Sequence, residues 1–193
     1  MIFFRLKRLM NRFRLDESGL VTVEFVIIFP IFFAFFLMTV ENGIISIRNV
    51  MLERGVDIAV REIRIGTMLD PTGPKLRREI CKVAMIIPDC ENQLQVELRI
   101  RDPRNWEPLP GRVNCINRSE PARPAHDFTH GASNQLVIIQ ACVRINPFLP
   151  TTGIGKAIVQ RSEGNLAASG SYALVAISSY VVEPRGDDDE DDS

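Results

Sequence analysis

The sequence predicts an α+β protein: a long N-terminal helix, apolar enough in its first half to cross a membrane, with a small antiparallel sheet packed on its second half. Three observations predict it. Leu20–Val40 is a run of 21 residues in which only Glu24 carries a charge. As a helix rising ~1.5 Å per residue it spans roughly 31 Å, the thickness of a bilayer's hydrocarbon core. Beyond Glu41 the apolar residues narrow to one face, Ile45, Leu52, Val56, Ala59 and Ile63, with Arg48, Glu53, Arg54, Asp57 and Arg61 on the others, the spacing of an amphipathic helix. Three later stretches then read as strands: Leu94–Arg101, Leu136–Ile145 and Tyr172–Val182.

These elements divide the chain into five parts. Residues 1–19 form a basic leader, 20–40 a transmembrane helix, 41–65 its continuation outside the cytoplasm, 66–184 an α+β domain and 185–193 an acidic tail. The leader carries Arg5, Lys7, Arg8, Arg12 and Arg14 against Asp16 and Glu17. It forms either a short amphipathic helix on the inner leaflet, through Phe3, Phe4, Leu6, Leu9 and Met10, or no fixed structure. Basic residues flanking a span stay cytoplasmic, so the N-terminus is expected inside and the C-terminal domain outside a single-pass anchor in the cytoplasmic membrane. The formal charge of −1 hides this asymmetry, because the chain without its leader keeps 18 basic and 22 acidic residues. The basic cluster is thus a membrane flank, and no nucleic-acid partner is expected.

Glu24 is the informative residue. A carboxylate at mid-bilayer costs on the order of 2.5–3.5 kcal/mol on insertion scales, less toward the interface. Glu24 lies little more than a turn inside the apolar boundary, so either it reaches the headgroups or it awaits a cation in lipid. Cleavage after Gly19 would supply one: the new amine of Leu20, with Glu24 as fifth residue of the shortened chain. That amine on one subunit could neutralise Glu24 on the next. An ordinary secretory signal places small residues after its apolar core. Here the small pair, Ser18-Gly19, precedes the core, so cleavage would remove the leader and leave the helix attached.

Gly19, four residues, then Glu24-Phe25 and an unbroken apolar helix resemble the G-x-x-x-x-E-F site of prepilin peptidase. With the Arg-rich leader and the large domain that follows, the chain resembles TadE-like pseudopilins of tight-adherence (Flp) pilus systems, most strongly over residues 12–65. The resemblance implies a pilin-like fold and a minor pseudopilin subunit of a type IV pilus. It implies processing at Gly19, Leu20, Glu24 and Phe25, and as partners the peptidase, other pilin or pseudopilin subunits, the inner-membrane assembly platform and the lipid bilayer. It gives Pro30 a role as a flexible point of the helix, although a proline kink is also tolerated in any membrane helix. The runner-up is an uncleaved, membrane-anchored binding protein or a minor pseudopilin of type II secretion; the latter typically carries Phe at the cleavage point, whereas Phe25 follows Glu24.

The domain is read in order. Gly66–Pro74 breaks the first helix. A second starts at Pro74, points Leu76, Ile80, Val83, Ala84 and Ile87 inward and stops at Pro88. In the first strand Gln95, Glu97, Arg99 and Arg101 form a polar face expected to meet solvent or a partner. Residues 102–133, rich in Pro, Arg, Asn and Ser and holding the only tryptophan, Trp106, read as a long loop. A short helix is possible around Ile154–Val159. The six consecutive acids 187–192 are expected to be disordered. Four cysteines outside the cytoplasm read as two disulfides, and of three connectivities Cys81–Cys90 with Cys115–Cys142 is favoured. A pair at the first position is also what the resemblance implies.

No enzyme is expected. His126 and His130 are the only histidines and lack a third ligand in a Pro-rich loop; neither a metal nor another cofactor is anticipated. No G-x-S-x-G, Walker or dinucleotide fingerprint occurs, and Gly153-Ile-Gly155-Lys156 lacks the spacing of a phosphate loop.

Overall fold

A computed structural model describes residues 20–68, 71–105, 115, 128, 131–150, 152–161 and 170–183. The leader, Trp106, His126, His130 and the acidic tail lie outside the described residues. The architecture is α+β, a long N-terminal helix and a three-stranded antiparallel sheet. Helix α1 is Leu20–Arg64, α2 Gly73–Val83, α3 Cys90–Gln93 and α4 Gly153–Arg161; strands β1, β2 and β3 are Gln95–Arg101, Leu136–Ile145 and Tyr172–Val181. The chain divides into two compact units, Met1–Val40 and Glu41–Ser193.

Within the first unit α1 is apolar on every side and exposed on every side. Twelve large apolar side chains from Val21 to Phe36 are each at least 44% exposed. Burying one such side chain is worth about 1.5–3 kcal/mol, so leaving all of them in water would forfeit on the order of 20 kcal/mol, more than a domain's whole stability of ~5–15 kcal/mol. This stretch therefore needs an apolar surrounding, and α1 is the helix, among the described residues, that is long and apolar enough to cross a membrane. Phe25, Phe29, Phe33 and Phe36 stack in succession at ring-centroid distances of 5.0, 5.6 and 6.3 Å. Pro30 lines a shallow apolar notch with Ile31, Ala34, Phe35 and Met38.

In the second unit α1 becomes one-sided. Leu52, Val56, Ala59 and Ile63 are buried and Ile45 packs against the same core, the stripe that the spacing predicts. Helix α1 ends in a Schellman turn: Thr67 N–H donates to the Glu62 carbonyl and Gly66 N–H to the Ile63 carbonyl, both at 3.1 Å. Gly66 takes the positive φ of 74° that this cap requires. Arg61 and Arg64 occupy the last turn, where they complement the carbonyl end of the helix.

Helix α2 buries Leu76, Ile80 and Cys81 and ends at Val83, five residues short of the proline that the sequence offers as its stop. The Cys81–Cys90 disulfide and the left-handed Asp89 (φ 50°) turn the chain there, while Ala84 and Ile87 stay buried beyond the helix. Gly55 makes the contact with α1 close, since a Cβ at that position would stand 2.8 Å from the Ile80 carbonyl oxygen.

Strand β2 is central, pairing with β1 from Gln95↔Cys142 to Arg101↔Leu136 and with β3 from Leu136↔Val181 to Ile145↔Tyr172. Its Val137, Ile139, Ala141, Val143 and Ile145 join the helix-lined core. On the opposite face Ile138, Gln140 and Cys142 are buried as well. Both faces of β2 are thus covered, which explains its nearly continuous apolar sequence. Cys142 joins Cys115 on that second face, with Cα atoms 5.2 Å apart. Phe128 forms an isolated bridge to Leu98 at the free edge of β1, so the 102–133 connection is tied to the sheet at two described points. On the polar face of β1, Gln95, Arg99 and Arg101 are partly exposed, but Glu97 is not at solvent. Glu97 is 2% exposed and accepts a 3.0 Å hydrogen bond from Arg99 Nη2.

Candidate functional site: two carboxylates at the ends of the apolar run

The apolar segment has an acid near each end. Glu24, one turn into α1, is exposed; among the described residues no group pairs with it. Phe25 beside it is 59% exposed. Leu20 opens the helix, and Gly19 lies outside the described residues. Among the described residues Glu24 is thus an exposed, unpaired carboxylate on an otherwise apolar stretch of helix.

Glu41, the first charge after the run, is fully buried. Its carboxylate accepts hydrogen bonds from the backbone N–H of Phe148 (2.9 Å) and of Leu149 (2.7 Å), over a hundred residues away. Charge-assisted bonds of this kind are stronger than neutral ones, and they offset the desolvation that burying an acid costs. Sequence reasoning missed this role. The available signal was the first acid past the apolar boundary together with Asn146-Pro147-Phe148-Leu149-Pro150, a turn with few internal acceptors for its N–H groups.

Two helical turns on, Arg48 Nη1 lies 3.5 Å from the Tyr172 hydroxyl. Burial raises the Tyr172 pKa and the Arg48 guanidinium partly offsets that rise, with Glu41 adding slightly to it. Farther along, Ser178 donates to Asp57 (3.3 Å) and Arg64 pairs with Glu183 (3.4 Å). These three contacts, taken in order, run β3 in the same direction as α1.

The face of α1 turned from this core carries exposed Ile47, Val50 and Ile58, continued by Ile65 just past its end. The four follow a helical spacing and none is needed by the unit's own core.

Residues 19–61 match the model of the TadE-like protein family. The match begins at Gly19, takes in Leu20, Glu24 and Phe25, and covers most of α1. The resemblance read over residues 12–65 is thus a family match on its central part. The sheet and its disulfides lie beyond it. No curated protein and no solved structure matches the chain. Among the described residues no cluster of three or more His, Cys, Asp or Glu side chains could hold a metal ion.

Proposed function

We propose that this chain is a minor pilin-like (pseudopilin) subunit of a tight-adherence pilus, cut after Gly19 by a prepilin peptidase and anchored through residues 20–40. The observation that carries the reading is the family match over 19–61, which coincides with Gly19, Glu24-Phe25 and the apolar helix. In this reading the leader stays in the cytoplasm and residues 41–193 lie outside it. The amine of Leu20 neutralises Glu24 of a neighbouring subunit, and this pair sets register where lipid makes any unpaired charge costly. The exposed Ile47, Val50, Ile58 and Ile65 supply a second contact to other pilin or pseudopilin subunits, held by the inner-membrane assembly platform. The chain itself has no catalytic step.

The test is intact mass and N-terminal sequencing of the protein purified from its native membrane. A chain beginning at Leu20 is expected. A chain beginning at Met1 would overturn the processing and with it the pairing of Leu20 with Glu24.

A further inference from the structure

The turn Asn146–Pro150 combines two properties that rarely coincide. Its backbone is fixed at several points. Phe148 and Leu149 donate to the buried carboxylate of Glu41. The Leu149 carbonyl accepts from Thr152 N–H (3.1 Å) and from Thr152 Oγ1 (2.8 Å), and α4 abuts it so closely that a Cβ on Gly155 would stand 2.5 Å from that oxygen. Yet the Phe148 side chain at the summit is 60% exposed. A large aromatic held out rigidly keeps little conformational entropy to lose on docking.

Its level is set by covalent connectivity. Glu41 directly follows Val40, the last residue of the apolar run, and the turn is bonded to the side chain of Glu41 itself. If residues 20–40 lie in hydrocarbon, Phe148 sits within one side chain's length of the membrane surface, whichever leaflet that is. Asn146 and Lys156 around it are exposed, polar neighbours suited to headgroups. Aromatic and other large apolar side chains are favoured at this depth.

We infer that the Phe148 turn is a second membrane contact, seating its aromatic ring in the interfacial layer of the lipid beside the span. The role of Glu41 is to hold the turn there. The inference rests on the reading of residues 20–40 as a membrane span, but needs neither processing nor a pilus partner. Another large apolar side chain at a turn, Met85, is 83% exposed between the bonded Cys81 and Cys90 and is not bonded to Glu41 at the end of the apolar run. It serves as the comparison.

The experiment places one tryptophan at a time in the full chain, with Trp106→Phe as background, in vesicles of phosphatidylethanolamine and phosphatidylglycerol containing brominated lipid. Circular dichroism checks that each variant is folded. Phe148→Trp is expected to shift its emission to the blue and to lose most of it to lipid brominated near the headgroup, and less to lipid brominated near the chain end. Met85→Trp is expected to stay unquenched, and Phe29→Trp, inside the span, to be quenched most by the deep label. Quenching at Phe29→Trp without quenching at Phe148→Trp would overturn the inference and leave the span standing. A blue shift at Phe148→Trp without quenching would overturn it in favour of a protein partner. No quenching at Phe29→Trp would remove the span, and the inference with it. Glu41→Gln, combined with Phe148→Trp, should weaken the quenching if the carboxylate positions the turn; unchanged quenching would overturn that role.

Discussion

Glu24 and Glu41 are the same side chain on the same helix, one near each end of an apolar run, and they have opposite circumstances. Glu41 is fully buried and receives two backbone N–H groups from its own chain. Glu24 is exposed, and among the described residues no group pairs with it. The difference lies in where the compensation for a desolvated charge comes from. For Glu41 it is intramolecular, so the carboxylate belongs to folding. For Glu24 the proposed compensation is intermolecular, the amine of a neighbouring subunit's Leu20, and in that reading the carboxylate belongs to assembly. Changing each acid should therefore break different things.

The largest effect is expected at Glu24. Glu24→Ala should abolish recovery of the chain in cross-linked assemblies from its native membrane, while the melting temperature of the C-terminal unit stays unchanged. A fall in melting temperature would mean that Glu24 also serves folding and would collapse the contrast. Glu41→Ala should do the reverse. It orphans the N–H groups of Phe148 and Leu149, each costing about 1–3 kcal/mol, so the unit should lose about 2–5 kcal/mol in denaturant unfolding. Glu41→Gln keeps one carbonyl acceptor and should lose less than half of that. Equal losses for the two variants would show that the charge, and not the count of acceptors, governs the site.

The disulfides sharpen the same contrast, because both staples lie in the C-terminal unit. Cys115 and Cys142 are 27 residues apart and Cys81 and Cys90 are 9 apart. On the chain-entropy account, Ser replacements of the longer pair should cost roughly 3.5 kcal/mol and of the shorter pair roughly 2.5 kcal/mol. Chemical denaturation of the two double variants tests the order; a larger loss for the shorter pair would mean that the Ala84–Asp89 turn depends on its staple for more than loop entropy. Gly55→Ala is a smaller perturbation. The added methyl would crowd the Ile80 carbonyl at 2.8 Å and should cost about 1–3 kcal/mol as α1 and α2 separate.

What could be read in the sequence and what could not follow a physical division. The apolar run, the stripe from Leu52 to Ile63 and the three strands are local periodicities, and β2 occupies the very residues, Leu136–Ile145, that its apolar run marks. The two cysteine pairs of the structure coincide with the favoured pairing: Cys81–Cys90 closes a short loop after α2, and Cys115–Cys142 ties the long connection to the central strand. Three features depend on partners far along the chain and leave no periodic trace. Glu41 meets Phe148 and Leu149, Gly55 meets Ile80, and Phe128 meets Leu98. For Glu97 the alternation left solvent or a partner open, and assigned it to the face opposite Leu98; the structure buries it opposite Gln140, on the side of β2 where Ile138 and Cys142 are buried too. The α2 end was misjudged because Pro88 is a sufficient stop but not the first one: the helix already ends at Val83, with Ala84 leaving the helical conformation.

The smallest expected effect separates the two regions by pH. Both tyrosines of the chain, Tyr172 and Tyr180, lie on β3 in the C-terminal unit, and the apolar run has none. Burial pushes Tyr180 from 10.0 up to about 12 and raises Tyr172 as well, against the opposing pull of Arg48. A phenol whose folded pKa lies above its unfolded one favours the folded state fully below the unfolded value; the contribution is lost as pH rises from there through the folded value. For Tyr180 the window runs from 10.0 to about 12, and around pH 11 the loss should be about 1 kcal/mol. Denaturant midpoints across this range should therefore fall for the C-terminal unit, while the helical signal of residues 20–40 in lipid holds. Tyrosinate absorbance should rise above the ordinary phenol range for both residues, and Tyr180→Phe should leave only the step of Tyr172. Arg48→Met should move the remaining step to still higher pH, because it removes the one positive charge that favours the phenolate of Tyr172. An unmoved step would mean that the 3.5 Å approach of Arg48 to the hydroxyl carries no electrostatic weight. Arg48 would then act by packing its stem along the same buried wall as Glu41.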